Sequence, residues 1–487
     1  MGKHSAVAAP KNGGTLRNPA FEMGIFLLFA GLVLMAGRLP LYKADGWIVA
    51  GILCAFYIAA YLGLNHAGLL KSDGYIVATA LLLAAALLIR VVLFEHRSGD
   101  YNAFLSVWVE HFRINGGFLG LSRVIGDYNA PYLYFLAAFS YFPVDDLYLI
   151  KLLSVAADLL LAWFCMRIVS HFREETWAAV GVFFAVLLLP TVWLNSGMWA
   201  QCDSIYAMFG AAALYGMLKR RPVLSLVLAT VGFGFKLQII FLLPIYLIFL
   251  LRGDVKFKHL AAVPAAYAGL VLPALLCGYP PGEVLGVYFG QVGSYSGYLT
   301  LNAPSIFAWV SGAAGEAVPM LSRVGIFLTA ALLVVFILWL WKNIRRVGDR
   351  EILLISAVMT AGIPFLLPSM HERYFYMAET LSVVLAFAFA GRGMSSATAK
   401  CLVAAPVLIQ AGAYSGYHAY LFGQYIMELK TGALLIAAGT ALILRVLWLS
   451  ITKNGGGPRG DETAPRRQIR PRGGGRHYVL RAQRKGV

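Results

Sequence analysis

Residues 75–101 read YIVATALLLAAALLIRVVLFEHRSGDY, an apolar run that ends in a cluster of charges. The apolar part, 75–93, has the length of one membrane crossing, because a helix needs about 20 residues to span a hydrocarbon core of ~30 Å. The loop beyond it gathers Glu95, Arg97 and Asp100. Long apolar runs followed by polar loops recur along all 487 residues. That recurrence decides the fold class: all-α, a polytopic transmembrane helical protein.

Composition agrees. Hydrophobic residues make up 60% and charged residues 13% of the chain, with a mean hydropathy of +0.73, whereas soluble domains carry about 25% charged residues. The apolar runs are continuous and do not alternate with polar residues, which excludes a β-barrel. The five cysteines show no CxxC or Cys/His spacing, so neither zinc nor a redox pair is expected. The net charge of +17 would suit nucleic acid. However, Lys453–Val487 is rich in Arg, Gly and Pro, which reads as a disordered basic tail lying on anionic lipid headgroups; no nucleic-acid partner is expected. The first apolar segment, Ile25–Met35, lacks a small-x-small cleavage site and is read as a helix rather than a signal peptide.

The apolar runs give about fourteen spans, near 22–37, 47–67, 75–93, 146–169, 176–194, 204–218, 222–235, 239–251, 259–277, 320–341, 351–367, 372–391, 399–414 and 432–451. The chain divides into an N-terminal arm (1–20), three N-terminal spans (21–94), a membrane core (95–395), C-terminal spans (396–452) and the tail (453–487). With the N-terminus inside, Lys71, Arg167, Arg173, Lys219 to Arg221, Arg252, Lys256, Lys258, Lys342, Arg345, Arg346, Arg392, Lys400 and the tail all fall on the cytoplasmic side. This is the positive-inside pattern, and it places both termini in the cytoplasm. Four polar stretches then face outward: Glu95–Asp145, Leu194–Asp203, Gly278–Ser305 and Pro368–Arg373. Spans 222–235 and 239–251 are too short for a ~30 Å core and read as a broken pair meeting at Lys236-Leu237-Gln238. Pro131–Phe142 and Pro304–Val310 each start at a proline and read as short helices at the outer interface.

Charges at membrane depth mark candidate sites. Lys236 is either a lysine snorkelling to headgroups or a cation holding a phosphate at the break. His371-Glu372-Arg373 opens a span, where a helix N-terminus and a guanidinium fork both suit anions; a capping Glu372 and an interfacial Arg373 are the plainer alternative. Asp203 is an N-cap or a second acid of an active site. Asp100 is likewise a cap for a helix starting at Tyr101 or a catalyst. A second Gly-Asp-Tyr-Asn, at 126–129, precedes Pro131-Tyr132.

Taken in order, Gly99-Asp100-Tyr101, Tyr128-Asn129-x-Pro131-Tyr132-Leu133-Tyr134, Trp199-x-Gln201-x-Asp203-Ser204-x-Tyr206, Lys236-Leu237-Gln238 and Met370-His371-Glu372-Arg373-Tyr374 form a set. The set resembles the GT-C superfamily of polyprenyl-phosphate-sugar-dependent glycosyltransferases, and within it the bacterial mannosyltransferases related to the GPI-anchor mannosyltransferase II. The resemblance covers residues 75–395. It implies an inverting transfer of a hexose, mannose favoured, from a polyprenyl-phosphate-linked sugar to an acceptor hydroxyl on a glycan, glycolipid or protein, at the outer face of a bacterial cell membrane. It also implies that Asp100 is the general base, that Asp203 assists it, and that Lys236, Arg373 and His371 lie near the donor phosphate. Tyr101, Trp199, Gln201, Gln238, Glu372, Asp127 and Tyr132 are then the expected sugar or acceptor contacts. No cofactor is required, although Asp100 and Asp203 together leave room for a divalent metal, Mg or Mn. The chain departs from the family at Ala200, where the usual Trp-Gly-Gln reads Trp199-Ala200-Gln201, and in having three spans before the Asp100 loop where many relatives have one. The broken helix pair and its lysine also suit a transporter or flippase of a lipid-linked sugar, although the halves show no repeat and the charges gather towards one face. A non-catalytic scaffold that keeps a lipid-binding groove is a third reading.

Overall fold

The computed structural model describes residues 18–295, 297–391 and 395–453. The basic tail, most of the N-terminal arm and Arg392 lie outside the described residues. Three helices come first, α1 (Pro19–Arg38), α2 (Gly46–His66) and α3 (Asp73–Val91). Two short ones follow, α4 (Ser106–Ile114) and α5 (Ala130–Phe139). The body continues with α6 (Asp146–Phe172), α7 (Thr176–Leu187), α8 (Pro190–Trp193), α9 (Asp203–Leu218), α10 (Pro222–Phe235), α11 (Ile245–Arg252), α12 (Ala262–Leu276) and α13 (Pro281–Ser294). It closes with α14 (Ala317–Lys342), α15 (Asp349–Leu366), α16 (Tyr376–Phe389), α17 (Ser396–Phe422) and α18 (Leu429–Lys453). Among the described residues the strands are two parallel two-residue pieces, β1 (Thr300–Leu301) and β2 (Met370–His371).

This is an all-α architecture of membrane type. Eight helices among the described residues are long and apolar enough to cross a bilayer, or nine if the bent pair Thr176–Leu187 and Pro190–Trp199 counts as one span. Five of the fourteen expected spans are carried by helices that fall short of that test: α9, α10, α11, α15 and α16. With 14 residues, α10 covers about 21 Å at the helical rise, against a core of ~30 Å. The expected break at Lys236 is present: α10 ends there, Lys236 is extended (φ −155°, ψ 134°), and a 3-10 turn, Leu237–Phe241, leads towards α11. Two expectations need correction. Pro304–Val310 forms only a 3-10 turn, Ile306–Trp309, whose start Ser305 caps by accepting from the Phe307 N–H. The span expected from residue 372 begins at Tyr376, after a 3-10 turn over Glu372–Phe375.

Two features place the site. Lys151 of α6 is fully buried and donates to the carbonyls of Leu93 (2.9 Å), Phe94 (2.9 Å) and His96 (2.7 Å), which pins the exit of α3 and with it the loop carrying Asp100. α17 packs tightly through small residues, as membrane helices do where backbones approach closely. A Cβ on Gly412 would lie 2.5 Å from the Gly432 carbonyl of α18, and one on Gly416 would lie 2.3 Å from the Asn302 carbonyl. This approach brings the C-terminal part of α17 against the loops around Trp199 and Glu372.

Candidate active site

Asp100 lies at the entrance of a π-helical turn, Tyr101–Leu105, and a second π-helical turn, Leu194–Trp199, faces it. Such turns are rare and concentrate at functional sites. Ser98 joins the two, donating to the Trp199 carbonyl (2.6 Å) and accepting from the Tyr101 N–H (3.2 Å). Ser98 therefore does the capping work, and the Asp100 carboxylate caps nothing. Instead its Oδ2 accepts from Trp199 Nε1 at 3.0 Å and Gln201 Nε2 at 2.6 Å, while Oδ1 accepts from the Tyr420 hydroxyl at 2.5 Å.

Asp203 is completely buried at the start of α9 and, again, is not an N-cap. Its Oδ1 receives Lys236 Nζ at 2.6 Å and its Oδ2 receives Asn195 Nδ2 at 2.7 Å. The extended break after α10 turns Lys236 inward, so it does not snorkel outward. Its ammonium also donates to Gln201 Oε1 (3.2 Å) and sits 5.7 Å from the Tyr128 ring centroid. Arg373 lies between the two acids. Its Nη1 is 3.9 Å from Asp100 Oδ2, its Nε is 3.9 Å from Asp203 Oδ2, and its guanidinium is 5.2 Å from the Trp199 ring centroid. Glu372, buried beside it, accepts from Arg373 Nη1 at 3.2 Å. Arg373 Nε is buried without a hydrogen-bond partner, as is Gln238 Oε1. Unmet polar capacity of this kind is costly in a folded protein and marks a place where a ligand can supply the missing partner.

Asp100, Asp203, Lys236, Arg373, Trp199, Gln201 and Glu372 are thus brought into one constellation. His371 joins its edge, 3.9 Å from Glu372 and edge-on to Tyr295. Burial and the charges of Arg373 and Lys236 lower its imidazole to about 2, so the ring is neutral and offers a hydrogen bond but no charge. Asp127 faces the same region. Desolvation raises its carboxyl above the ordinary aspartate range, against the pull of Arg373 and Lys236. Tyr132 is buried with its ring 5.0 Å from that of Tyr128, one layer behind the charges.

Tyr101 does not join them. Its hydroxyl donates to Asp146 Oδ2 (2.9 Å) and accepts from Arg97 (3.1 Å), away from the carboxylate next to it in sequence. A tyrosine of the second Gly-Asp-Tyr-Asn does reach the site. Tyr128 donates to Gln201 Oε1 at 3.2 Å, and Gly126, at φ +68° with Trp108 packed against it, makes the turn that permits this. Sequence reasoning also missed Asn195, Tyr417 and Tyr420. Tyr417 accepts from Asn195 Nδ2 (3.1 Å) and meets the Trp199 ring edge-on, while Tyr420 stacks on Trp199. The signal available for them was the Gly412-x-x-x-Gly416 spacing followed by Tyr417 and Tyr420 one helical turn apart on α17.

The donor set does not suit a divalent metal. Asp203 is committed to a lysine and an amide, Asp100 to three N–H or O–H donors, and Arg373 lies between them. Among the described residues no group of three His, Cys, Asp or Glu side chains converges on a metal position. Comparison with family models and with curated proteins finds no match.

Proposed function

We propose that the chain is a membrane glycosyltransferase of GT-C type that moves a hexose, mannose favoured, from a polyprenyl-phosphate donor to an acceptor hydroxyl, with inversion. The observation that carries this reading is the pairing of one oriented carboxylate with two adjacent cations, one of which holds an unspent donor. Trp199 and Gln201 fix Asp100 through Oδ2 and leave Oδ1 directed at a hydroxyl, the geometry a general base requires. In the reaction, Asp100 takes the acceptor proton as the acceptor oxygen bonds to the anomeric carbon. The anomeric carbon–oxygen bond to phosphate breaks, and its electron pair leaves with the polyprenyl phosphate. Lys236 and Arg373 face the negative charge that grows there. Asp203 orients those two cations rather than moving a proton. On the orientation read from the loop charges, the site opens to the outer face, and the lipid-linked donor enters laterally from the bilayer.

The test is purified protein in lipid with polyprenyl-phosphate mannose and a panel of glycan, glycolipid and peptide acceptors. Formation of a glycosidic bond, lost in Asp100→Asn, supports the reading. Turnover unchanged in Asp100→Asn removes Asp100 as base, and translocation of the lipid-linked sugar without bond formation assigns a flippase instead.

A further inference from the structure

Asp100 has two chemically different sides. Oδ2 is held by two N–H donors from buried side chains, Trp199 at 0% exposure and Gln201 at 4%. Oδ1 is held by a hydroxyl, that of Tyr420, at 2.5 Å. An acceptor awaiting deprotonation must present a hydroxyl to the base at about this distance, so the phenol stands where a reacting hydroxyl would stand. The rest of the side chain fits the same description. The Tyr420 ring lies flat on Trp199, with centroids 4.4 Å apart and planes 20° from parallel. A pyranose ring is similar in size and offers a face of C–H groups to an indole in the same way. Tyr420 differs from the other partners of Asp100 in being exposed, at 37%. It sits in the last turn of α17, ahead of Gly423, which has φ +68°. Rotamer changes at exposed side chains are fast and disturb little.

We propose that Tyr420 is a placeholder that marks the acceptor subsite: a sugar ring of the acceptor displaces it from the Trp199 face and gives Asp100 Oδ1 the hydroxyl now supplied by the phenol. The inference rests on the glycosyltransferase reading and narrows the acceptor class to a carbohydrate ring, as against the hydroxyl of a serine or threonine. Tyr420 is therefore a specificity-determining residue, contributed by a helix outside the stretch that carries the sequence motifs.

The test uses the full chain in detergent, with octyl α-mannoside as the ring probe and a serine-containing peptide as the open-chain probe. Binding is measured calorimetrically for the wild type, Tyr420→Phe and Tyr420→Ala. Removing the competing hydrogen bond to a charged group tightens octyl α-mannoside binding about ten-fold in Tyr420→Phe. Tyr420→Ala, which also clears the indole face, tightens it at least as much, and the peptide gains nothing. In the transfer assay the acceptor KM falls in the same order. Ring-probe affinity that is unchanged or weaker in both variants overturns the placeholder, as does a kcat that collapses in Tyr420→Phe at unchanged KM, which would make the phenol a proton relay. If octyl α-mannoside binding tightens but no sugar is transferred by any form, the subsite stands and the transferase reading fails. If transfer occurs but neither variant alters acceptor affinity, the reverse holds.

Discussion

Two buried carboxylate–cation pairs, Arg90–Asp158 and Lys236–Asp203, look alike as pairs and differ in what surrounds them. Arg90 donates through Nε to Asp158 at 2.8 Å, through Nη1 to the Ala86 carbonyl at 2.8 Å and through Nη2 to the Leu187 carbonyl at 2.9 Å, and Asp158 also accepts from Ser196 at 2.6 Å. All three guanidinium nitrogens are spent on the protein, and the pair joins α3, α6 and the end of α7. Around Lys236–Asp203 the balance is different. Three acids, Asp100, Asp203 and Glu372, face two cations, several contacts are long, and Arg373 Nε has no hydrogen-bond partner. Asp158 Oδ1 is left without a hydrogen-bond partner, so the two pairs differ at the cation. A guanidinium wholly spent on the protein reads as structure, whereas one that keeps a free N–H beside a second acid reads as a site prepared for something the protein does not itself contain.

The sharpest break of that contrast is Asp100→Asn. Transfer from polyprenyl-phosphate mannose falls by about 10²–10⁴-fold, the usual contribution of a general base, while the thermal midpoint in detergent stays close to that of the wild type. Arg90→Met should do the opposite. Leaving Asp158 charged and unpaired costs about 3–5 kcal/mol of stability, seen as a large fall in the thermal midpoint or loss of folded protein. A third variant, Arg373→Lys, keeps the charge but loses the planar fork, and kcat falls by about 10²-fold. Its midpoint moves far less than that of Arg90→Met; an equal loss of stability would erase the distinction between the two clusters. The smallest effect is expected at Ala200, which sits in the left-handed region at φ +65° between two ligands of Asp100. Ala200→Gly relieves that strain and raises stability by about 0.5–1 kcal/mol after allowance for glycine's chain entropy, a gain readable as a shift of the midpoint. A positive φ at this position is the conformation that glycine adopts without strain.

The sequence was most legible where the physics is local. Continuous apolar runs announced an all-α membrane protein, and the charges of the Lys236 break and of His371-Glu372-Arg373 stood out because ionisable groups are costly at that depth. The count of spans was less legible, because α9, α10, α11 and α16 are short and α15 opens on three charged residues, Asp349, Arg350 and Glu351. Within the site, the acids, the cations and the Trp199 and Gln201 contacts were named, but Asn195 and the tyrosines that complete it were not. Tyr101, adjacent to Asp100 in sequence, turns to Asp146, while Tyr128 and Tyr420 arrive from loops and helices far along the chain. Lys151 and Arg90, both buried inside apolar runs, gave no sign of which carbonyls they would hold.

By itself the sequence determined the fold class, the place of the helix break and the acids and cations that gather, since transfer free energy and charge burial depend on residue type over short windows. Tertiary structure alone decided which tyrosine reaches Asp100, that Asp203 serves the cations, and that α17 closes the site. Those outcomes depend on helix rotation and on close backbone approach at Gly412 and Gly416, which no local pattern fixes.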